Sequence, residues 1–318
     1  MKVHSFIFHI LQKMQDCMEG EASVSLQEVV KNNGVIFTGL TFTQENINIS
    51  PTIYLEEFYH EYEEGRSMEE IIEEIKEIYY RSKLENNINM EFFTEYEKAK
   101  SNIVYKLIHY EKNAELLKEI PHRKFLDLAI VYYYLVNRKE FTNATILIHN
   151  RHAEGWKVDE EELYKIARTN NPGLLPVNFC GMMDVLRELT EDDYLYKGRL
   201  NEKQSSDEGR DVLFDMEMHI HRDETGMYVL SNSSRMFGAS VILYDGVLET
   251  CAERLGGSFY ILPSSVHEVI LVQDEERITT DNLARMVREV NETQLEEQEF
   301  LSNSVYYYSV ETKRIVRL

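Results

Sequence analysis

The sequence of 318 residues predicts an α+β fold in which helices pack on a mostly antiparallel sheet built from hairpins and strand-strand-helix units. The strongest observation is the segment FYILPSSVHEVILV, where two runs of β-branched and aromatic residues flank Pro263, Ser264 and Ser265, as in a tight hairpin. Asn33-Gly34 lies between two other strand-like runs, and this dipeptide favours hairpins because both central residues take positive φ. Apolar stripes at helical spacing occur between such runs, so both helices and strands are expected.

Residues 1–120 are predicted to form an N-terminal α+β region that contains acidic helices. Ser67 and Glu70 match a capping box at the start of a helix, and the apolar residues that follow recur every three or four positions. This stripe consists of Ile71, Ile72, Ile75, Ile78 and Tyr79. The other elements expected here are an amphipathic helix within 1–20, a hairpin at 23–42, a strand at TIYL, helices at 56–64 and 91–100 (the latter with a capping box of Thr94 and Glu97), a strand at NIVYKLIHY and helical turns within 113–120.

Residues 121–318 are predicted to form a second α+β region, although the whole chain could equally be one continuous domain. The apolar run 128–136 is too continuous for a half-exposed strand and indicates a buried central one. The remaining predicted elements are strands at ATILIHN, 227–230 and 239–244, helices at 159–167, 182–189, 247–255 and 280–290, a break at 170–176 and a C-terminal hairpin turning at 311–313. A surface loop is expected between residues 190 and 211, with a flexible segment at 201–210. Two strand, loop, strand, helix segments about 95 residues apart resemble each other, which indicates either a duplicated strand-strand-helix unit or a coincidence of common strand residues.

Composition restricts the classes of partner. The net charge of −22 argues against nucleic acid and anionic membranes, which require clustered Lys and Arg, and favours a basic protein or plain solubility. The three cysteines are far apart and indicate free thiols in a reducing cytoplasm. No apolar run reaches the length of a membrane span, and no glycine motif for a cofactor occurs, so no cofactor is expected.

Four segments carry a resemblance to a known family: PTIYLEEFYHEY, PHRKFLDLAIVYYYL, ATILIHN and FYILPSSVHEVIL. They resemble an uncharacterised family of unknown function found in gut clostridia, and the resemblance extends over nearly the whole chain. It implies a cytoplasmic bacterial protein and one continuous unit. It implies no catalytic or binding residue.

The turn of the central hairpin supplies the first candidate site, because Ser264, Ser265, His267 and Glu268 include a hydroxyl, an imidazole and a carboxylate. Their contiguity favours a structural turn instead, since catalytic triads are assembled from distant segments. In such a turn the serine hydroxyls would bind the backbone. Both interpretations are open at this point.

The loop after ATILIHN supplies the second candidate site, with Asn150, His152 and the only tryptophan, Trp156, at the end of a predicted strand. The alternative is that Trp156 packs the next helix on the sheet.

Two pairs of histidines are candidates for metal binding: His219 and His221 share a strand face, and His149 and His152 lie in a turn. Neither pair has a third ligand at motif spacing, so no metal is expected. Glu217 and Asp223 are the nearest residues that could complete a site around the first pair.

The segment from Leu55 to Glu97 holds 14 acidic and 4 basic residues, as on a solvated helix face or on a docking surface for a basic protein. These observations lead to two hypotheses about function. The leading hypothesis is a non-enzymatic binding or regulatory protein with an acidic face for a basic partner. The alternative is a hydrolase or transferase of unrecognised type that uses the polar residues near His152 and His267.

Overall fold

A computed structural model describes residues 2–136, 144–187, 225–275 and 278–318. Internal contacts divide the chain into two compact units, Met1–Phe92 and Phe93–Leu318. All the strand pairings among the described residues are antiparallel, which confirms the predicted α+β class, although the strands form three sheets. The boundary between the two compact units lies after Phe92 along the chain, whereas the sequence indicated a boundary near residue 120. That the two regions are independent domains stays a prediction.

The first unit contains a three-stranded sheet. Its strands are β1 (Ser23–Val30), β2 (Ile36–Thr43) and β3 (Thr52–Tyr54), in the order β1-β2-β3. The β1-β2 turn contains Asn33 and Gly34 with φ of 62° and 74°, in the left-handed region that this dipeptide tolerates well. The hairpin predicted for 23–42 is therefore confirmed, and its turn chemistry is the reason that it forms.

Three helices complete the core of the first unit: α1 (Val3–Cys17), α2 (Glu56–Glu63) and α3 (Met68–Ser82). Helix α3 begins with the predicted capping box, in which the Ser67 hydroxyl accepts from Glu70 N–H at 3.3 Å and Ser67 N–H donates to Glu70 Oε2 at 3.1 Å. Its stripe residues Ile71, Ile75 and Tyr79 are completely buried. Burial of each large apolar side chain stabilises the fold by about 1.5–3 kcal/mol, so the stripe fixes which face of α3 points outward.

A four-stranded sheet begins the second unit. Its strands are β4 (Ile103–His109), β5 (His122–Phe125), β6 (Leu128–Leu135) and β7 (Thr145–Leu147). Strand β4 pairs with residues 128–134 of β6, whereas on the other side of β6 the strand β5 pairs with residues 128–131 and β7 with residues 133–135. Seven of the eight residues of β6 are buried, which confirms the predicted central strand.

A six-stranded sheet follows, in the order β13-β12-β10-β11-β9-β8. Its strands are β8 (Val177–Gly181), β9 (Met227–Asn232), β10 (Phe259–Pro263), β11 (Val269–Gln273), β12 (Tyr306–Ser309) and β13 (Arg314–Arg317). The predicted central hairpin is β10-β11, with Pro263 opposite Val269. Its loop spans residues 264–268, so His267 and Glu268 lie in the loop and not on a strand.

The helices after residue 90 are mostly short. They are α4 (Glu91–Thr94), α5 (Tyr96–Ala99), α6 (Ala114–Leu117), α7 (Asn150–Trp156), α8 (Glu160–Leu174), α9 (residues 182–187), α10 (Val247–Leu255) and α11 (Thr280–Thr293). The single helix predicted for 91–100 is wrong, because extended backbone at Glu95 divides it and no side chain caps α5. The predicted flexible segment 201–210 lies outside the described residues. Among the helices that are described, none has the length and apolarity needed to cross a membrane.

The strand predicted for 239–244 is also wrong, because Gly238–Leu243 form a 3-10 helix. Phe237 turns the chain with a φ of 56°, and a Cβ on Gly238 would lie 2.1 Å from Ser231 Oγ. The close approach of this segment to β9 requires glycine at position 238. The apolar residues that follow it are mostly buried. The segment therefore does not repeat the β6-β7-α7 arrangement, and the second strand of the predicted duplicated unit does not form.

Helix α8 runs through Pro172 to Leu174, past the break predicted for 170–176. The Asn171 amide lies against the backbone of β4, where its Oδ1 accepts from Tyr105 N–H at 2.9 Å and its Nδ2 donates to Tyr105 O at 3.2 Å. Asn170 Nδ2 donates to the carbonyls of Lys100 and Ile103, both at 2.8 Å. These bonds to the sheet offset the roughly 3 kcal/mol that proline costs inside a helix.

Candidate functional site

The β10-β11 loop is closed by the side chain of Ser265, which is 3% exposed. The Ser265 hydroxyl donates to Glu268 Oε1 at 3.1 Å and accepts from His267 N–H at 2.9 Å. Ser265 N–H donates to Glu268 O at 3.2 Å. These are the local bonds by which serine stabilises a turn, so the hydroxyl is engaged in holding the loop.

The imidazole of His267 contacts segments outside the loop. Its Nδ1 accepts from Phe237 N–H at 3.2 Å, and its Nε2 lies 3.5 Å from Glu299 Oε1. Since Nδ1 accepts a hydrogen bond, the ring proton is on Nε2 and is directed at Glu299. Neither nitrogen is aligned to take a proton from the serine, which nucleophilic catalysis by this set would require.

The strand-end candidates also make structural contacts. Asn150 Nδ2 donates to Lys118 O at 3.0 Å, which ties the start of α7 to the end of α6. Trp156 is 8% exposed, and its Nε1 donates to Phe93 O at 3.0 Å. Its ring packs against Phe93 and Tyr96, with centroid distances of 5.2 and 5.9 Å. Trp156 therefore anchors α7 on the α4-α5 segment.

His149 and His152 converge, with their ring centroids 5.6 Å apart. His152 Nδ1 accepts from His149 N–H at 3.1 Å. Burial lowers the pKa of both imidazoles, and the positive charge of Arg151 lowers each pKa further. Both rings are therefore neutral at pH 7, the form in which histidine accepts a proton or binds a metal. The other predicted pair, His219 and His221, lies outside the described residues together with Glu217 and Asp223.

Two of the hairpin residues, Ser264 and Glu268, line a cavity of about 310 Å³ above β8, β9 and β11. Asn150 lines a different and more open groove of about 580 Å³ beside the start of α8. Neither of these two cavities includes residues from both candidate loops, and His152 and His267 line neither.

The acidic face of α3 is the third candidate. Glu69, Glu73 and Glu77 are exposed on the side opposite the buried stripe, as the helical periodicity predicts. Lys76 pairs with Glu73 at 2.9 Å, whereas in the described part of the chain Glu69 and Glu77 have no ion-pair partner. Consecutive carboxylates are about 6 Å apart along the helix axis.

Arg235 is a residue that the sequence did not single out. It follows β9 with a φ of 49° and lines the 310 Å³ cavity together with Ser264 and Glu268. A polar run, Asn232 to Ser234, precedes it and marks a loop, but no local pattern shows that this loop meets the β10-β11 loop. The pairing of β9 with β11 brings the two together.

The geometry of these sites does not identify a reaction. The comparison with protein families identifies the family of the chain and no activity. A family of unknown function, DUF5688, matches residues 3–310. The chain belongs to this family. The predicted resemblance is thereby confirmed, whereas the expected source in gut clostridia stays a prediction. Neither the curated proteins nor the solved structures include a match to the chain.

Proposed function

We propose that this DUF5688 protein acts by binding, and that the acidic face of α3, formed by Glu69, Glu73 and Glu77, binds a basic protein segment. The observation that supports this proposal is the orientation of α3, whose buried stripe of Ile71, Ile75 and Tyr79 directs the carboxylates to the surface. The local excess of acidic residues within the same unit, 12 against 4 basic ones between Leu55 and Phe92, adds to the field around this face.

The magnitudes fit an electrostatic docking surface. A single exposed ion pair contributes about 0.2–1 kcal/mol, so useful affinity requires several lysine or arginine side chains to contact the row together. The carboxylates repeat every four residues on one rigid helix, and a flexible basic segment could follow that row. The Debye length is about 8 Å at physiological ionic strength, so binding should weaken steadily as salt is added.

The alternative is a hydrolase or transferase at the residues near His152 and His267, and the contacts of the described residues there are structural. Ser265 and His267 are held by loop contacts, and the two candidate loops line separate cavities. We therefore rank the binding hypothesis above the enzyme hypothesis.

Two further predictions stay predictions. That the protein has no nucleic-acid or membrane partner rests on the charge of −22, and a cytoplasmic location rests on the free thiols.

The proposal is tested with a fluorescent oligolysine peptide and a triple variant, Glu69→Gln, Glu73→Gln and Glu77→Gln. The control is a triple variant with the same change in charge on exposed helical positions of the second unit, Glu253→Gln, Glu289→Gln and Glu292→Gln. Fluorescence anisotropy at about 0.02 M and about 0.3 M salt gives the affinity of each protein for the peptide.

If α3 is the docking surface, the first variant loses affinity about tenfold at low salt, while the control changes by less than about twofold, since it alters only the overall charge. Both variants should unfold within about 1.5 kcal/mol of the wild type, because each surface change is worth about 0.5 kcal/mol or less. Equal losses in the two variants would show that only the net charge matters and would reject α3 as the site.

A further inference from the structure

The 310 Å³ cavity occupies one face of the six-stranded sheet. Cys180, Val229 and Ile270 are paired across β8, β9 and β11, so their side chains form a row on that face. The opposite face carries Phe179, which is completely buried with the core. Farther along the sheet, helix α11 covers the face that carries the cavity, and it packs there on Leu262, Val272 and Ile270. The cavity thus continues an apolar surface beyond the end of that helix contact.

Polar side chains from two loops border this floor, and Met182 and Val185 of α9 add apolar lining. Arg235 belongs to the loop after β9, and Ser264 and Glu268 belong to the loop between β10 and β11. A guanidinium group and a carboxylate therefore border an apolar floor of Val229 and Ile270. Such a combination, a mostly apolar pocket with a few placed polar groups, is typical of sites for small molecules.

The loop after β9 is fixed in place by part-buried hydrogen bonds to the side chain of Asn232. Asn232 is completely buried, and its Oδ1 accepts from Ser234 N–H at 3.1 Å and from Met236 N–H at 3.3 Å. Its Nδ2 donates to Met236 O at 2.9 Å. The same loop holds Arg235 with a φ of 49°, a conformation that costs free energy for a residue other than glycine and occurs often at ligand sites.

The two loops are also joined to each other. The Ser231 hydroxyl donates to His267 O at 2.7 Å, and Phe237 N–H donates to His267 Nδ1 at 3.2 Å. Glu268 is held by the Ser265 hydroxyl at 3.1 Å. The loop that carries Arg235 therefore has a defined position relative to Glu268, which a binding site for a charged group requires.

We propose that this cavity binds a small molecule with an apolar body and a carboxylate group. The carboxylate would contact Arg235, whose planar guanidinium binds carboxylates through two parallel hydrogen bonds. The apolar body would lie on Val229 and Ile270, with Val185 of α9 beside it. The cavity volume is near the lower end of the range for ligand pockets, about 300–1,000 Å³, and so fits a compact ligand.

Calorimetric titration with octanoate tests the proposal, with octanol and octylamine as probes that keep the apolar chain and change the head group. A ligand of about ten heavy atoms should bind the wild-type protein with a Kd on the order of 0.1–1 mM. Octanoate should bind more tightly than octanol by about tenfold, because hydrogen bonds to charged groups are the stronger kind. Octylamine should bind more weakly than octanoate, although Glu268 borders the cavity.

Two variants locate the binding. Arg235→Gln is an exposed change that should lower octanoate affinity about tenfold and leave octanol unchanged. Val229→Phe should weaken both ligands by filling the floor of the cavity. Arg254→Gln, an exposed arginine on α10 that does not line the cavity, serves as the matched control and should change neither.

The inference is overturned if octanoate does not bind at millimolar concentration, or if it binds Arg235→Gln as tightly as the wild type. Tighter binding of octylamine than of octanoate would likewise reject the carboxylate preference. Because Val229→Phe could disturb folding, the Arg235→Gln result decides the question, with thermal unfolding as a check on both variants. The outcome is independent of the acidic face of α3, which lies in the other compact unit.

Discussion

Replacement of Asp127 by asparagine is expected to lower the free energy of unfolding of the second unit by about 2–3 kcal/mol. The carboxylate lies in the turn between β5 and β6 and accepts three hydroxyl hydrogen bonds. Oδ2 accepts from Ser302 at 2.7 Å and from Ser304 at 2.8 Å, and Oδ1 accepts from Tyr306 at 2.8 Å. Asparagine has one acceptor oxygen and no charge, so at least one hydroxyl loses its acceptor and the other bonds weaken.

The effect should depend on pH. Burial raises the pKa of Asp127, but the hydrogen bonds from the three hydroxyl groups outweigh burial, so the pKa lies below its usual value. A carboxyl whose pKa is depressed by folding stabilises the protein above its unfolded pKa, near 3.9, and loses that contribution as the pH falls through the folded value. The difference between the wild type and Asp127→Asn should therefore be largest near neutral pH and shrink in acid.

Urea unfolding followed by the fluorescence of Trp156 measures this difference, because Trp156 is the only tryptophan and belongs to the second unit. Asp245→Asn is the control, since Asp245 forms an exposed ion pair with Arg168 that should be worth less than about 1 kcal/mol. The reasoning fails if Asp127→Asn costs no more than this control, or if its effect is the same at acid and neutral pH.

Three further outcomes are expected. Gly238→Ala should destabilise the protein by about 1–3 kcal/mol, because the added Cβ would lie 2.5 Å from a backbone oxygen. The control Gly257→Ala adds its Cβ in open space and should change the stability by less than about 0.5 kcal/mol. Urea unfolding compares the two variants. Asn171→Ala should cost about 2–4 kcal/mol in the same assay, because it leaves the buried N–H and C=O of Tyr105 without their partner, and a cost below about 1 kcal/mol would contradict this. The purified protein should carry no stoichiometric zinc, and elemental analysis that finds about one zinc per chain, lost when both histidines at 219–221 become alanine, would contradict this.

Elements with short-range signals could be predicted from the sequence. The Asn33-Gly34 turn and the Ser67-Glu70 capping box depend on residues within a few positions of each other, and the structure has both. The 3-10 helix at Gly238–Leu243 could not be predicted in this way, because its apolar residues are equally suited to a strand. Its conformation follows from the close approach of Gly238 to β9, a contact between distant parts of the fold.

The candidate sites show the same division. The interpretation of Ser265 as a turn residue uses contacts within the loop, and those contacts are present. The partners of His267, by contrast, lie about 30 residues away along the chain at Phe237 and Glu299, and nothing in the local pattern identifies them. Arg235 was missed for this reason, since its place in the cavity that Glu268 also lines depends on the pairing of β9 with β11.

Zero-length carbodiimide coupling of the bound oligolysine peptide to the protein tests the central claim most directly, because it joins lysine amines only to carboxylates in contact with them. Mass spectrometry then identifies the coupled glutamates. We expect coupling at Glu69, Glu73 and Glu77 to exceed coupling at Glu289 and Glu292, which are also exposed, by about tenfold, and to disappear at high salt. Coupling spread evenly over exposed carboxylates in both units would contradict a docking surface on α3.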